Sequence, residues 1–118
     1  MSKERQLPQA IAAFIEATNA HHSEELLATL TADAVITDEG QVYKGIAAIK
    51  EWSDEKYIGA KVTLDVVDLV DSNDKTIVTV RVDGNFDKSG LPNPFLMDFH
   101  FTVDSNKIAA LTIRLPDQ

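Results

Sequence analysis

The sequence predicts an α+β domain, with three N-terminal helices packed on one face of an antiparallel sheet. Three observations predict it. Apolar residues recur at helical spacing through the first half, the period changes from 3.6 to 2 after Gly59, and the strand starting at Phe95 carries one wholly apolar face. At 118 residues, with 44% hydrophobic and 25% charged residues, the chain fits one domain over residues 1–118 that can bury a core without staples.

Leu7, Ile11, Phe14, Ile15 and Thr18 place a first amphipathic helix over Pro8 to Ala20, with Pro8 in the first turn, where a missing N–H costs nothing. Ser23 is the expected N-cap of a short second helix that buries Leu26, Leu27 and Leu30. An extended piece from Ala34 to Asp38 ends at the Glu39-Gly40 turn signal, and Gly45 opens a third helix with Ile46, Ile49, Trp52 and Tyr57 facing inward. Four strands follow: Lys61–Val70, Thr76–Phe86, Phe95–Val103 and Ile108–Leu115. Asp71 to Asp74 and Asp104 to Lys107 read as hairpin turns, and Asp87 to Pro94 as a longer loop.

In the strand from Phe95, the residues Phe95, Met97, Phe99, Phe101 and Val103 share one face, which is therefore interior. Leu111, Ile113 and Leu115 form the matching row of the last strand, leaving Ala110, Thr112 and Arg114 outside. That outer face, with Leu96 and His100, is the expected contact of a homodimer.

Composition removes several classes of function. The net charge is -8 and the pI near 4.7, a field that repels phosphate backbones and anionic membranes, so neither is an expected partner. With no cysteine there is no disulfide, thiol nucleophile or cysteine zinc site. The start, Met1 to Arg5, leads into no secretory or membrane-spanning segment, so the cytoplasm is the default location. Phosphate-loop, serine–histidine–acid and zinc spacings are absent, and no metal or cofactor is expected. His100 has Asp98 two residues away on its own face, without a third ligand at defined spacing; the expectation is cross-strand hydrogen bonding to Arg114.

The element order, with Phe14-Ile15-Glu16, then Ala32-Asp33-Ala34-Val35-Ile36-Thr37-Asp38, then Gly45 through Ala48, Ile49 and Trp52, resembles the nuclear transport factor 2-like superfamily in its SnoaL-like and ketosteroid isomerase branch. The resemblance covers nearly the whole chain. It implies a cystatin-like cone of strongly curved sheet around an apolar pocket, a small apolar organic ligand, and cofactor-free chemistry at a carbonyl compound. In the isomerases of that branch an aspartate abstracts a proton while a tyrosine and a protonated aspartic acid hold the enolate oxygen. Carried over, the base falls on Asp38, the tyrosine on Phe14 and the acid on Phe99, because Asp98 is the alternative but strand parity turns it outward. Phenylalanine donates no hydrogen bond, and one missing oxyanion donor costs about 3–4 kcal/mol of barrier. The usual ketosteroid isomerisation is therefore not expected.

Asp38 is left as the one candidate catalytic residue, a general base, against the plainer reading of a turn residue capping backbone amides. The expected pocket wall is Phe14, Trp52, Tyr57, Met97, Phe99, Leu111 and Ile113. An enzyme also needs a donor near Asp38, for which Trp52, Tyr57 and Thr37 are the candidates. Without one, a ligand-binding or dimerisation domain is the competing expectation.

Overall fold

The computed structural model describes residues 7–72, 75–85, 89–90 and 95–116. The order is α1 (Gln9–Ala20), α2 (Ser23–Ala28), β1 (Leu30–Asp38), β2 (Gln41–Lys44), α3 (Gly45–Trp52), a π-helical turn (Ser53–Tyr57), then β3 (Thr63–Ser72), β4 (Lys75–Asp83), β5 (Leu96–Asp104) and β6 (Lys107–Arg114). Most of the loop expected over Asp87 to Pro94, and Asn73 and Asp74 of the first hairpin, lie outside the described residues.

The four C-terminal strands form the expected antiparallel meander, but the sheet is mixed. Its order is β2-β1-β6-β5-β4-β3, and β1 joins β6 in parallel. The extended piece is correspondingly longer than expected, beginning at Leu30, and it acquires an edge partner in β2. The sheet is open and the helices cover one face, as in cystatin-fold proteins. Irregularities in pairing interrupt β1–β6, β3–β4 and β5–β6, and such bulges bend a strand and sharpen its twist. The one between Thr102 and Val103 also rephases β6: Ile108 pairs with Val103 and turns inward with Leu111 and Ile113, while Leu115 is exposed.

Short polar bonds fix the helices. The end of α1 puts His21 in the left-handed region at φ 60°, with His22 N–H returning to Ala17 O at 2.9 Å, so the chain turns at once into α2. This tight exit makes His22 the N-cap and Ser23 the first helical residue, a correction to the expected cap; Ser23 Oγ instead donates to Asp54 Oδ1 at 3.3 Å. Asn19 pairs with the Leu64 backbone in both directions, at 3.0 and 2.7 Å, and so ties α1 to β3. The core between helices and sheet includes Ile11, Phe14, Leu26, Ile36, Ile49, Phe101, Ile108 and Leu111. Among the described residues no helix is long and apolar enough to cross a membrane.

Candidate functional site

Strand alternation decides where Asp38 points. Ala34 and Ile36 are buried on the inner row of β1, and Asp38 continues that row at its C-terminal end. Beyond it the chain reverses through Glu39 and Gly40, at φ 49° and 91°. Two successive positive φ values are the signature of a two-residue hairpin turn whose twist matches that of the strands. Glu39 N–H donates to Ile113 O at 3.1 Å, so the turn is held by backbone bonds. The Asp38 carboxylate is left to the interior: Trp52 Nε1–H donates to Oδ2 at 3.0 Å. Among the described residues no backbone amide is capped by Asp38.

The π-helical turn delivers the aromatic side of the site. In an α-helix two residues five apart lie about 140° apart around the axis, and Trp52 and Tyr57 could not share a face. The wider i→i+5 winding sets one above the other, with ring centroids 4.7 Å apart and planes 19° from parallel. Gly59 makes the exit possible, since a Cβ there would stand 1.8 Å from the Asp54 carbonyl oxygen. The Tyr57 ring then reaches the cavity while its hydroxyl points away. Thr18 Oγ1 gives its single proton to Phe14 O at 2.9 Å, so in the 2.9 Å contact with Tyr57 the tyrosine is the donor. Burial pushes the Tyr57 phenol far above its ordinary range, the Thr18 contact opposes this, and the Asp38 charge adds to the rise. Tyr57 is therefore a neutral wall residue whose proton is already committed.

Between these rings and the sheet lies a cavity of about 320 Å³. Its aromatic and aliphatic wall comprises Trp52, Tyr57, Phe95, Met97, Phe99 and Ile113, together with Val62 and Val82. Asp38, Glu39 and Lys56 are its ionisable lining. Glu39 and Lys56 are exposed and Asp38 is half-buried, so the charged groups gather toward the mouth. Five of the seven expected wall residues line this space. Phe14 and Leu111 do not; they lie one layer deeper, fully enclosed, with the Phe14 ring 6.0 Å from Tyr57 and 5.5 Å from Phe101. The reason is the Tyr57 ring, which interposes between Phe14 and the cavity.

The expected site left out Phe95, Glu39, Lys56, Val62 and Val82. The alternation Val78, Val80, Val82 carried a usable signal for the last of these, whereas an exposed lysine in a polar turn carries none. Phe99 faces the cavity, and Asp98 lies on the opposite strand face, accepting a bond from Thr79 Oγ1 at 2.6 Å. Register sets His100 beside Thr112 and Arg114 beside Asp98. Among the described residues His100 and Arg114 are not hydrogen-bonded, contrary to expectation, because antiparallel pairing offsets them by one inward-facing residue pair. Among those residues no group of three His, Cys, Asp or Glu is placed to hold a metal ion.

Helices over one face of an open mixed sheet, with an apolar cavity and a carboxylate at its mouth, define an α+β domain of cystatin-like fold. The SnoaL-like domain profile matches residues 11–111, and the chain belongs to that family, within the nuclear transport factor 2-like superfamily. A candidate polyketide cyclase from Sinorhizobium meliloti superposes with a TM-score of 0.81 at 28% identity, over 92% of this chain and 95% of that one. A protein of ketosteroid isomerase-like fold from Catenulispora acidiphila, solved with trimethylamine, gives 0.72 at 18% identity, over 92% and 85%. An epoxide hydrolase/cyclase-like enzyme of pyran ring formation in the polyether salinomycin gives 0.74 at 20% identity, over 90% and 87%. The last two likenesses are of fold. Among curated proteins none matches the chain.

Proposed function

We propose that the protein is a cofactor-free proton-transfer enzyme, an isomerase, cyclase or dehydratase, acting on a small apolar carbonyl compound with Asp38 as base. The observation that carries this reading is the Asp38 carboxylate on an apolar cavity, one oxygen tethered by the Trp52 indole and, among the described residues, no amide capped by it. A carboxylate so held, beside an apolar wall, is oriented for abstraction of a proton from a carbon next to a carbonyl. As the C–H bond breaks, its electron pair forms a carbon–carbon double bond and the carbonyl π pair moves onto oxygen; the enolate then collapses as Asp38 returns the proton to the same or another carbon.

The test is α-proton exchange of 2-tetralone in deuterium oxide, followed by NMR. The protein should accelerate exchange, and Asp38→Asn should return it to the buffer rate. Equal rates for both proteins would remove the enzymatic reading.

A second reading, a ligand-binding or dimerisation domain without catalysis, is favoured by Phe14 and Phe99, the positions onto which the resemblance carries the isomerases' oxyanion donors and which have no donor to offer. Under either reading we propose a homodimer through the outer sheet face, where Val35, Thr37, Ile77, His100, Thr102 and Thr112 are half-buried opposite the helices. Thr112→Arg should then convert a dimer to a monomer in sedimentation; an unchanged dimer would point to another face.

A further inference from the structure

A base alone leaves the negative charge of an enolate unattended, and the fixed donors around this cavity are all spent. The Trp52 N–H is given to Asp38 Oδ2, at 3.0 Å. The Tyr57 hydroxyl is given to Thr18, whose own proton goes to Phe14 O. Thr37, the third candidate, lies on the opposite face of β1 from Asp38, paired with Thr112 and Val42. Phe99 has nothing to donate. Among the described residues, one polar donor lining the cavity remains uncommitted: Lys56, at the penultimate position of the π-helical turn. Among the described residues its ammonium has no ion-pair or hydrogen-bond partner, although Lys50 in the same segment is paired with Asp54 at 2.8 Å.

We infer that Lys56 is a catalytic residue of the proposed reaction, its ammonium reaching over the mouth to donate to the carbonyl oxygen as charge develops there. This inference rests on the reading of Asp38 as base. The winding that stacks Tyr57 on Trp52 also sets the neighbouring Lys56, exposed, in the lining of the cavity, and its four-carbon stem is flexible. A flexible cation of this kind differs from a preorganised pair of buried donors in two ways. It costs entropy to localise, and salt screens it. Both make it the weaker device, and both are measurable.

The experiment has two arms. In the first, 2-tetralone exchange is followed for the protein, Lys56→Met, Lys56→Arg and Asp38→Asn. Lys56→Met should lower the saturated exchange rate by about tenfold or more, less than the hundredfold or greater loss typical of a buried oxyanion donor, with the half-saturating ketone concentration little changed. Lys56→Arg should recover part of the loss, and added salt should slow the parent but not Lys56→Met. If Asp38→Asn abolishes exchange while Lys56→Met matches the parent, the lysine role is overturned and the base survives. If the parent does not exceed buffer, both fall.

The second arm does not depend on turnover. In an Asp38→Asn background, 4-nitrophenol serves as a stand-in for the enolate, since its phenolate is yellow. Bound 4-nitrophenol should ionise at lower pH with Lys56 present than with Lys56→Met. Identical titrations in the two proteins would overturn the inference.

Discussion

The indole N–H of Trp52 donates to Oδ2 of Asp38 at 3.0 Å, joining the end of α3 to the last residue of β1 across the mouth of the cavity. Because Trp52 is 2% exposed and stacked on Tyr57, the donor is rigid, and it leaves one carboxylate oxygen to face a ligand. Trp52→Phe keeps an aromatic ring but removes the donor and part of the packed volume. It should lower stability by about 1–3 kcal/mol in urea unfolding and reduce 2-tetralone exchange. A variant of unchanged exchange rate would mean that the tether does not orient the base.

Tyr57→Phe separates wall from donor. The lost hydroxyl bonds Thr18 behind the ring, and Thr18 keeps its bond to Phe14 O. A modest destabilisation of about 0.5–1.5 kcal/mol is expected, with exchange activity retained. Loss of activity at preserved stability would contradict the assignment of the Tyr57 proton to Thr18.

Gly59→Ala tests the π-helical turn. The added Cβ would meet the Asp54 carbonyl oxygen, a backbone atom that moves only if the turn rewinds. A cost of about 1–3 kcal/mol is expected, as for other forced overpacking. The near-ultraviolet circular dichroism of the Trp52–Tyr57 stack should change with it. A spectrum and stability equal to the parent's would show that the turn tolerates a different winding.

Acid sensitivity should trace in part to His100. Burial holds its imidazole below the ordinary range, Arg114 of β6 and Lys75 of β4 push the same way, and Asp98 on its own strand opposes them. The folded state thus binds this proton less readily than the unfolded chain. Its contribution to stability is complete above the unfolded value of about 6.5 and is lost as pH falls toward the lower folded value. His100→Gln should flatten the fall in urea midpoint between about pH 7.5 and about pH 5. An equally steep fall in the variant would place the acid sensitivity elsewhere.

The parts of this fold that were legible in sequence are those where one period dominates. The alternation from Phe95 to Phe101 placed β5 and its inner face, and the same parity put Phe99 toward the cavity and Asp98 away from it. Asp38 was named from the family resemblance and from its place at the end of an extended piece before a turn signal; its inward direction came only with the strand. Two features were not legible. Gln41–Lys44 is four residues of mixed polarity, too short for a period to emerge, and it is a strand only because β1 offers it an edge. The π-helical turn has the polar text Ser-Asp-Glu-Lys, and a spacing of five between Trp52 and Tyr57 signals nothing when read at 3.6. That turn is what moved Phe14 out of the wall and brought Lys56 into the cavity lining, so the missing information was local winding and not hydrophobic pattern.

The relationship between Asp38, Trp52 and the cavity is open to one direct measurement. The chain has a single tryptophan, so its spectrum holds one indole N–H signal. We would follow that signal by NMR while adding 2-tetralone to the protein and to Asp38→Asn. The account predicts a downfield indole proton in the parent, a saturable shift as the ketone fills the cavity, and an upfield displacement in the variant before any ligand is added. An indole signal indifferent both to the ketone and to the loss of the carboxylate would contradict it.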